Sequence, residues 1–230
     1  MEFSITLIIV IITSIVSISA FRNQRITEDL IFYPPAITEQ KQWYRFFSCG
    51  LIHADYLHLI FNMYALYSFG TNVELGIQYR DIIGRDNGFV QIFGNAEGKL
   101  LYLLMYILAL GFCLLPTFAK HKNDYYYRSL GASGAVSAVI FAGMILEPRS
   151  GVGLIFIPGV SIPGYIFAPL FLLISHYLAK KGRDNVNHSA HIWGGIFGVI
   201  FLIAICYTLS NYDPISGFIQ GIKMDLGAGQ

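Results

Sequence analysis

The sequence predicts an all-α, polytopic membrane protein: six transmembrane helices packed as a single domain over residues 1–230. Three observations predict it. Hydrophobic residues make up 55% of the chain and charged residues 13%, against about 25% charge in an ordinary soluble domain. A soluble fold would lack the polar surface to cover itself. Six segments approach the roughly 20 apolar residues that a bilayer crossing needs. Unusual polar residues recur at the starts of the second, fourth and sixth segments, which all lie toward one membrane face.

The first segment is residues 3–20, FSITLIIVIITSIVSISA, which carries no charge. A cleaved leader would have a positive start, whereas this chain opens Met1-Glu2. Ile18 also spoils a small-x-small site before Ala20, so a retained transmembrane helix is expected. The second segment spans about 54–74 and the third 99–118. Between them, residues 76–98 contain five glycines and read as a flexible loop. The fourth, 131–147, is short and rich in Gly, Ala and Ser, as suits a central helix surrounded by protein. Pro158 and Pro163 mark GVGLIFIPGVSIPG as a loop leading into the fifth segment, 163–179. The sixth covers 189–209.

Composition also excludes several functions. The net charge is +1 with no basic run, which removes nucleic acid as a partner. The three cysteines, Cys49, Cys113 and Cys206, are odd in number and form no CxxC, so neither a disulfide framework nor a zinc knuckle is expected. Cys113 and Cys206 read as apolar filler. HExxH is absent, which removes that metalloprotease signature. No metal and no cofactor are expected. The nucleophile elbow GxSxG fails because Ala135 occupies its last position.

Polar groups in hydrocarbon are costly unless they face a bundle interior or a watery cavity. Three helices placing such groups at one level therefore point to a shared site. Serine needs a base to take its proton, and histidine is the usual one. Ser133 stands in GASG at the start of segment four, and His191 opens segment six. His191, Gly194 and Gly198 share one helical face, and Gly194/Gly198 form a GxxxG step that permits close approach. Gly134, Ala138 and Ala142 form the matching stripe on segment four. If the stripes meet, His191 reaches the level of Ser133. His188 is the rival base, but it precedes the stripe and reads as loop. His58 and Asn62 are four apart on one face of segment two; with the Ser133 N–H they supply oxyanion donors. His53 lies five residues before His58, about 140° around a helix, and reads as support or as part of the entrance.

These residues resemble the rhomboid family of intramembrane serine proteases. The matching stretches are WYRFFSCGLIHADYLHLIFNM with His53-x4-His58-x3-Asn62, GASG at 131–134, AHIWGGIFG, and GTNVE at 70–74 as a G-x-x-x-E. The resemblance covers about residues 40–205. It implies a Ser133 nucleophile and a His191 base acting without a carboxylate. It also implies oxyanion or substrate contacts from His58, Asn62 and Gly131, and a Trp43/Arg45 feature in an embedded first loop; an interfacial anchor is the alternative for those two. Some members carry a tyrosine four residues after the nucleophile, stacked on the histidine. Here that position is Ser137, so the histidine must be positioned differently. The connection between segments two and three is also longer than the family's usual loop.

The resemblance implies hydrolysis of peptide bonds in or beside transmembrane helices of substrate proteins, within a lipid bilayer such as a bacterial plasma membrane. Two other classes remain: an inactive rhomboid-like protein that binds transmembrane helices, and a proton-coupled transporter using His53, His58 and His191. Orientation is divided. The resemblance opens the site outward, whereas ten Lys/Arg on the catalytic side against five opposite would turn it toward the cytoplasm.

Overall fold

A computed structural model describes residues 4–76, 86–153, 161–181 and 186–227. Helix α1, Ile5–Arg22, buries Thr6, Ile9, Thr13, Ser17 and Ala20, one stripe at helical spacing. Its large side chains, Leu7, Ile11, Ile12, Ile15 and Ile18, are exposed. Small and hydroxylated residues inside with large aliphatics outside is the pattern of a helix that faces lipid. The start of α1 is capped from a distance. Glu74, fully buried, accepts from Ser4 Oγ at 2.8 Å, Ile5 N–H at 2.7 Å and Thr6 N–H at 2.9 Å. Those amides would otherwise be orphaned in an apolar setting.

The segment between α1 and the next long helix is folded. It holds α2, Gln24–Leu30, α3, Pro34–Gln40, and α4, Arg45–Ser48, followed by a 3-10 turn, Cys49–Leu51. Arg45 is buried and staples this segment, donating to the Glu28 carbonyl at 2.7 Å, to the Ile31 carbonyl at 2.8 Å and to Gln42. Its fork makes up for its lost hydration with three fixed acceptors. Trp43 remains half exposed beside Phe46 and Phe118.

Helix α5, Tyr56–Leu75, begins at Asp55, whose carboxylate accepts from the His58 N–H. The expected loop at 76–98 is corrected in part. Helix α6, Phe89–Phe93, forms there, and the following long helix α7, Asn95–Phe112, starts four residues earlier than the apolar run suggested; residues 77–85 lie outside the described residues. Helix α8, Leu115–His121, continues α7 with Pro116 in its first turn, where a missing N–H costs nothing. Helix α9, Ser133–Leu146, has ten of its fourteen residues buried. It is the central helix, and about 21 Å long at 1.5 Å per residue.

The expected loop at 151–164 is also corrected. Strands β1, Gly151–Gly153, and β2, Ser161–Pro163, pair antiparallel with Val152 opposite Ile162; residues 154–160 lie outside the described residues. Helix α10, Gly164–Lys181, follows with Pro169 inside it and only Gly164 and Ser175 buried. Helices α11, His188–Leu209, and α12, Pro214–Asp225, complete the chain. Among the described residues the fold is all-α apart from this short strand pair and one isolated bridge, Phe32–Ser129.

All six expected segments are helical. By length and apolarity, three qualify as membrane crossings among the described residues: Ile5–Arg22, Asn95–His121 and His188–Leu209. Helix α9 falls short in length and α5 carries His58, Asn62, Asn72 and Glu74. Polar load and shortness are tolerated where a helix is wrapped by others rather than by lipid.

Candidate active site

The seam between α9 and α11 is made of backbone. A Cβ at Gly194 would collide with the Gly134 carbonyl, and one at Gly198 with the Ala138 carbonyl. Glycine at both places lets the two helix backbones touch along two turns. The stripes read from sequence therefore meet. The seam brings His191 Nε2 to 2.7 Å from Ser133 Oγ. With its proton on Nδ1, the imidazole presents Nε2 as the acceptor for the serine hydroxyl.

Ser133 is the first residue of α9, so its amide is among those the helix leaves unpaired, at the positive end of the macrodipole. The turn before it is fixed from three sides. Gly131 has φ +114°, a left-handed backbone that favours glycine. Its N–H donates to the Cys49 carbonyl at 2.9 Å. A Cβ there would stand 2.8 Å from His58 Cε1, so the His58 ring rests on the bare Gly131 backbone.

His53 is buried behind this turn and precedes α5, which begins at Tyr56. The helical angle expected between His53 and His58 therefore does not apply; their rings meet edge-on at 4.9 Å. His53 Nε2 accepts from the Ala132 N–H at 3.4 Å, which leaves the proton on Nδ1 to donate to Ser17 Oγ at 3.0 Å. The Ser17 hydroxyl in turn donates to the Leu51 carbonyl at 2.8 Å. One chain of hydrogen bonds thus ties α1 to the GASG turn. Burial, and then the neighbouring His58, push the His53 imidazole down to about 3, so it stays neutral in this network.

A cavity of about 680 Å³ brings together Ser133, His191, His58, Asn62 and Gly131. His58 Nδ1 accepts from the Ala54 N–H at 3.4 Å, which leaves an Nε2 proton for donation on the Gly131 side. Asn62 donates one amide hydrogen to the His58 carbonyl at 2.9 Å and keeps a second. Asp55 and Arg128 stand at the same cavity, with Cys113, Leu110 and Leu114 among its apolar lining. Asn187 caps α11 through the Ala190 N–H and meets Thr117 Oγ1 at 3.2 Å, which fixes the helix end that carries His191. His188, read as loop, is instead the first residue of α11 and is buried, its ring edge-on to His191 at 5.8 Å. All three cysteines are free and buried. Among the described residues there is no metal-binding group of His, Cys, Asp or Glu.

Sequence reasoning missed Ser17 and Asn187. Ser17 was within reach, because Thr6, Thr13 and Ser17 form a hydroxyl stripe on α1.

Fold and site together define a helical membrane protein with a serine and a histidine paired inside the bundle. A model of the Rhomboid domain matches residues 40–208, and the chain belongs to the rhomboid family. It is similar to "RHOMBOID-like protein 12, mitochondrial" of Arabidopsis thaliana, 26% identical over 64% of this chain and 42% of that protein. It is equally similar to "Rhomboid-like protein 15" of the same plant, 26% identical over 85% and 44% respectively. "Presenilin-associated rhomboid-like protein, mitochondrial" of Rattus norvegicus is 26% identical over 65% of this chain and 35% of that protein. The chain therefore spans less than half the length of these relatives. Two of the three are named mitochondrial, and none supports the bacterial plasma membrane expected above.

Proposed function

We propose that the chain is an intramembrane serine endopeptidase that cleaves peptide bonds in or next to transmembrane helices of other membrane proteins. The observation that carries this is the 2.7 Å contact between Ser133 Oγ and His191 Nε2 at a cavity that His58 and Asn62 also line. In the reaction, His191 Nε2 takes the Ser133 proton as Oγ attacks the scissile carbonyl. The oxyanion is met by the Ser133 N–H, the His58 Nε2–H and the free Asn62 amide hydrogen. The C–N bond then breaks, and the leaving amine takes the proton from His191. Water from the cavity, deprotonated by the same imidazole, hydrolyses the acyl-enzyme. The bond must leave its helix to reach Ser133, so substrates carry residues of low helix propensity near the cut.

In this reading all six long or central helices cross the bilayer as one domain, with α5, α9 and α10 added to the three that qualify by composition. Orientation is tested with single cysteines in a cysteine-free chain. Asn123 and Asn211 are exposed at opposite ends of the bundle; Asn87 is buried and unsuited. An impermeant maleimide reacts with Asn123→Cys and spares Asn211→Cys in intact membranes if the site opens outward. The reverse places it inward.

A fluorophosphonate probe tests the nucleophile. Wild-type protein is labelled, while Ser133→Ala and His191→Ala are not. Labelling that survives Ser133→Ala refutes the assignment. Absence of labelling in the wild type favours the helix-binding or transporter alternatives.

A further inference from the structure

Among the described residues, Ser133 is the one hydrogen-bond partner of the His191 ring. A single hydrogen bond leaves an imidazole free to pivot about it, and the position four residues after Ser133 offers no ring, because Ser137 turns back to donate to the Ser133 carbonyl at 2.9 Å. Two rings do flank the imidazole. His188 lies edge-on, on the same helix. Phe171 of α10 lies 6.1 Å away, tilted by 32°, within the range of offset aromatic packing.

Phe171 is itself held. Phe141 of α9 meets it edge-on at 5.8 Å, and Phe167, one turn earlier on α10, lies near-parallel at 5.8 Å. Phe141 in turn is wedged against α11, since a Cβ at Gly195 would stand 3.0 Å from its ring. An aromatic run thus extends from the buried face of α9 through Phe171 to the imidazole.

We propose that Phe171 is a positioning residue for His191: its ring packs on the imidazole and holds Nε2 on the Ser133 hydroxyl. The proposal rests on the Ser133–His191 reading above. Phe171 touches no reacting atom, so its removal acts on turnover and not on substrate capture.

The test compares Phe171→Leu, which keeps an apolar side chain but removes the ring, with Phe171→Tyr, which keeps the ring. Full-length protein is assayed in vesicles on a transmembrane model substrate, with thermal unfolding as a folding control. Because misplacing a catalytic group by 1 Å can cost about 10²-fold, Phe171→Leu is expected to lower kcat about tenfold with KM within about twofold. Phe171→Tyr should stay within about threefold of wild type in kcat. Unchanged kcat in Phe171→Leu overturns the proposal, as does a loss in KM alone, or an equal loss in Phe171→Tyr. If Phe171→Leu fails to fold, Phe171→Met replaces it under the same criteria. Failure of the dyad reading is separate: fluorophosphonate labelling then persists in His191→Ala, and the proposal falls with it.

Discussion

Two helices flank α11, the helix that carries His191, and they hold it by different means. Helix α9 meets α11 backbone to backbone, with glycine at Gly194 and Gly198 pressed on the carbonyls of Gly134 and Ala138. Helix α10 buries only Gly164 and Ser175 and reaches the site through the rings of Phe167 and Phe171. A backbone seam has one register and no slack, because neither partner can rotate a side chain away. A ring contact is less absolute, since a side chain has more than one rotamer well. The lesson is a division of labour. Ser133 and His191 are set on the side that cannot yield, and the side that can yield borders the site without carrying either residue.

The contrast breaks first at the seam. Gly198→Val pushes α11 off α9 and displaces His191, and a loss of about 10²-fold in kcat is expected, with helical content retained by circular dichroism. A fully active Gly198→Val protein would show that the seam does not set the base. His53→Ala asks whether the unyielding side extends to α1. It leaves the Ala132 N–H and Ser17 without their buried partner, at about 1–3 kcal/mol, read as a lower unfolding midpoint. An unchanged midpoint would mean that the relay does not hold the GASG turn. Asn62→Ala removes one of the three oxyanion donors proposed above. Loss of a donor costs about 10²–10³ in a well-studied protease; shared among three, about tenfold in kcat with little change in KM is expected. Equal kcat would exclude Asn62 from the oxyanion. On the yielding side, Leu173→Ala, on an exposed position of α10, should leave kcat within about twofold of wild type. A large loss there would erase the distinction between the two helices.

What could be read in advance follows the same division. The seam was legible because small residues at i and i+4 leave a periodic mark in one dimension, and both helices carried it. Ser133, His191, His58, Asn62 and Gly131 stand out as polar or small residues within apolar runs, and the cavity collects all five. The stripe on α1 marked Ser17 as inward-facing, but its pairing with His53 was not legible. Ser17 is 36 residues away, and pairing at that separation depends on how α1 leans on the bundle. Phe171 was hidden because aromatic residues are ordinary in a lipid-facing helix and only the packing angle singles one out. Helix α12 and the strand pair were missed because each is too short, or too polar, for the search for bilayer-length apolar runs that found the other elements.

The Glu74 cap bears on how the protein is made. Its carboxylate satisfies Ser4, Ile5 and Thr6 across about 70 residues of chain. At a synthesis rate of about 5–20 residues per second, Glu74 emerges roughly 4–14 s after those amides. During that interval the leading end of α1 has no carboxylate partner, so α1 settles into its final place only once α5 has been delivered to the bilayer. The contact between the two helices is therefore completed no sooner than the ribosome delivers Glu74.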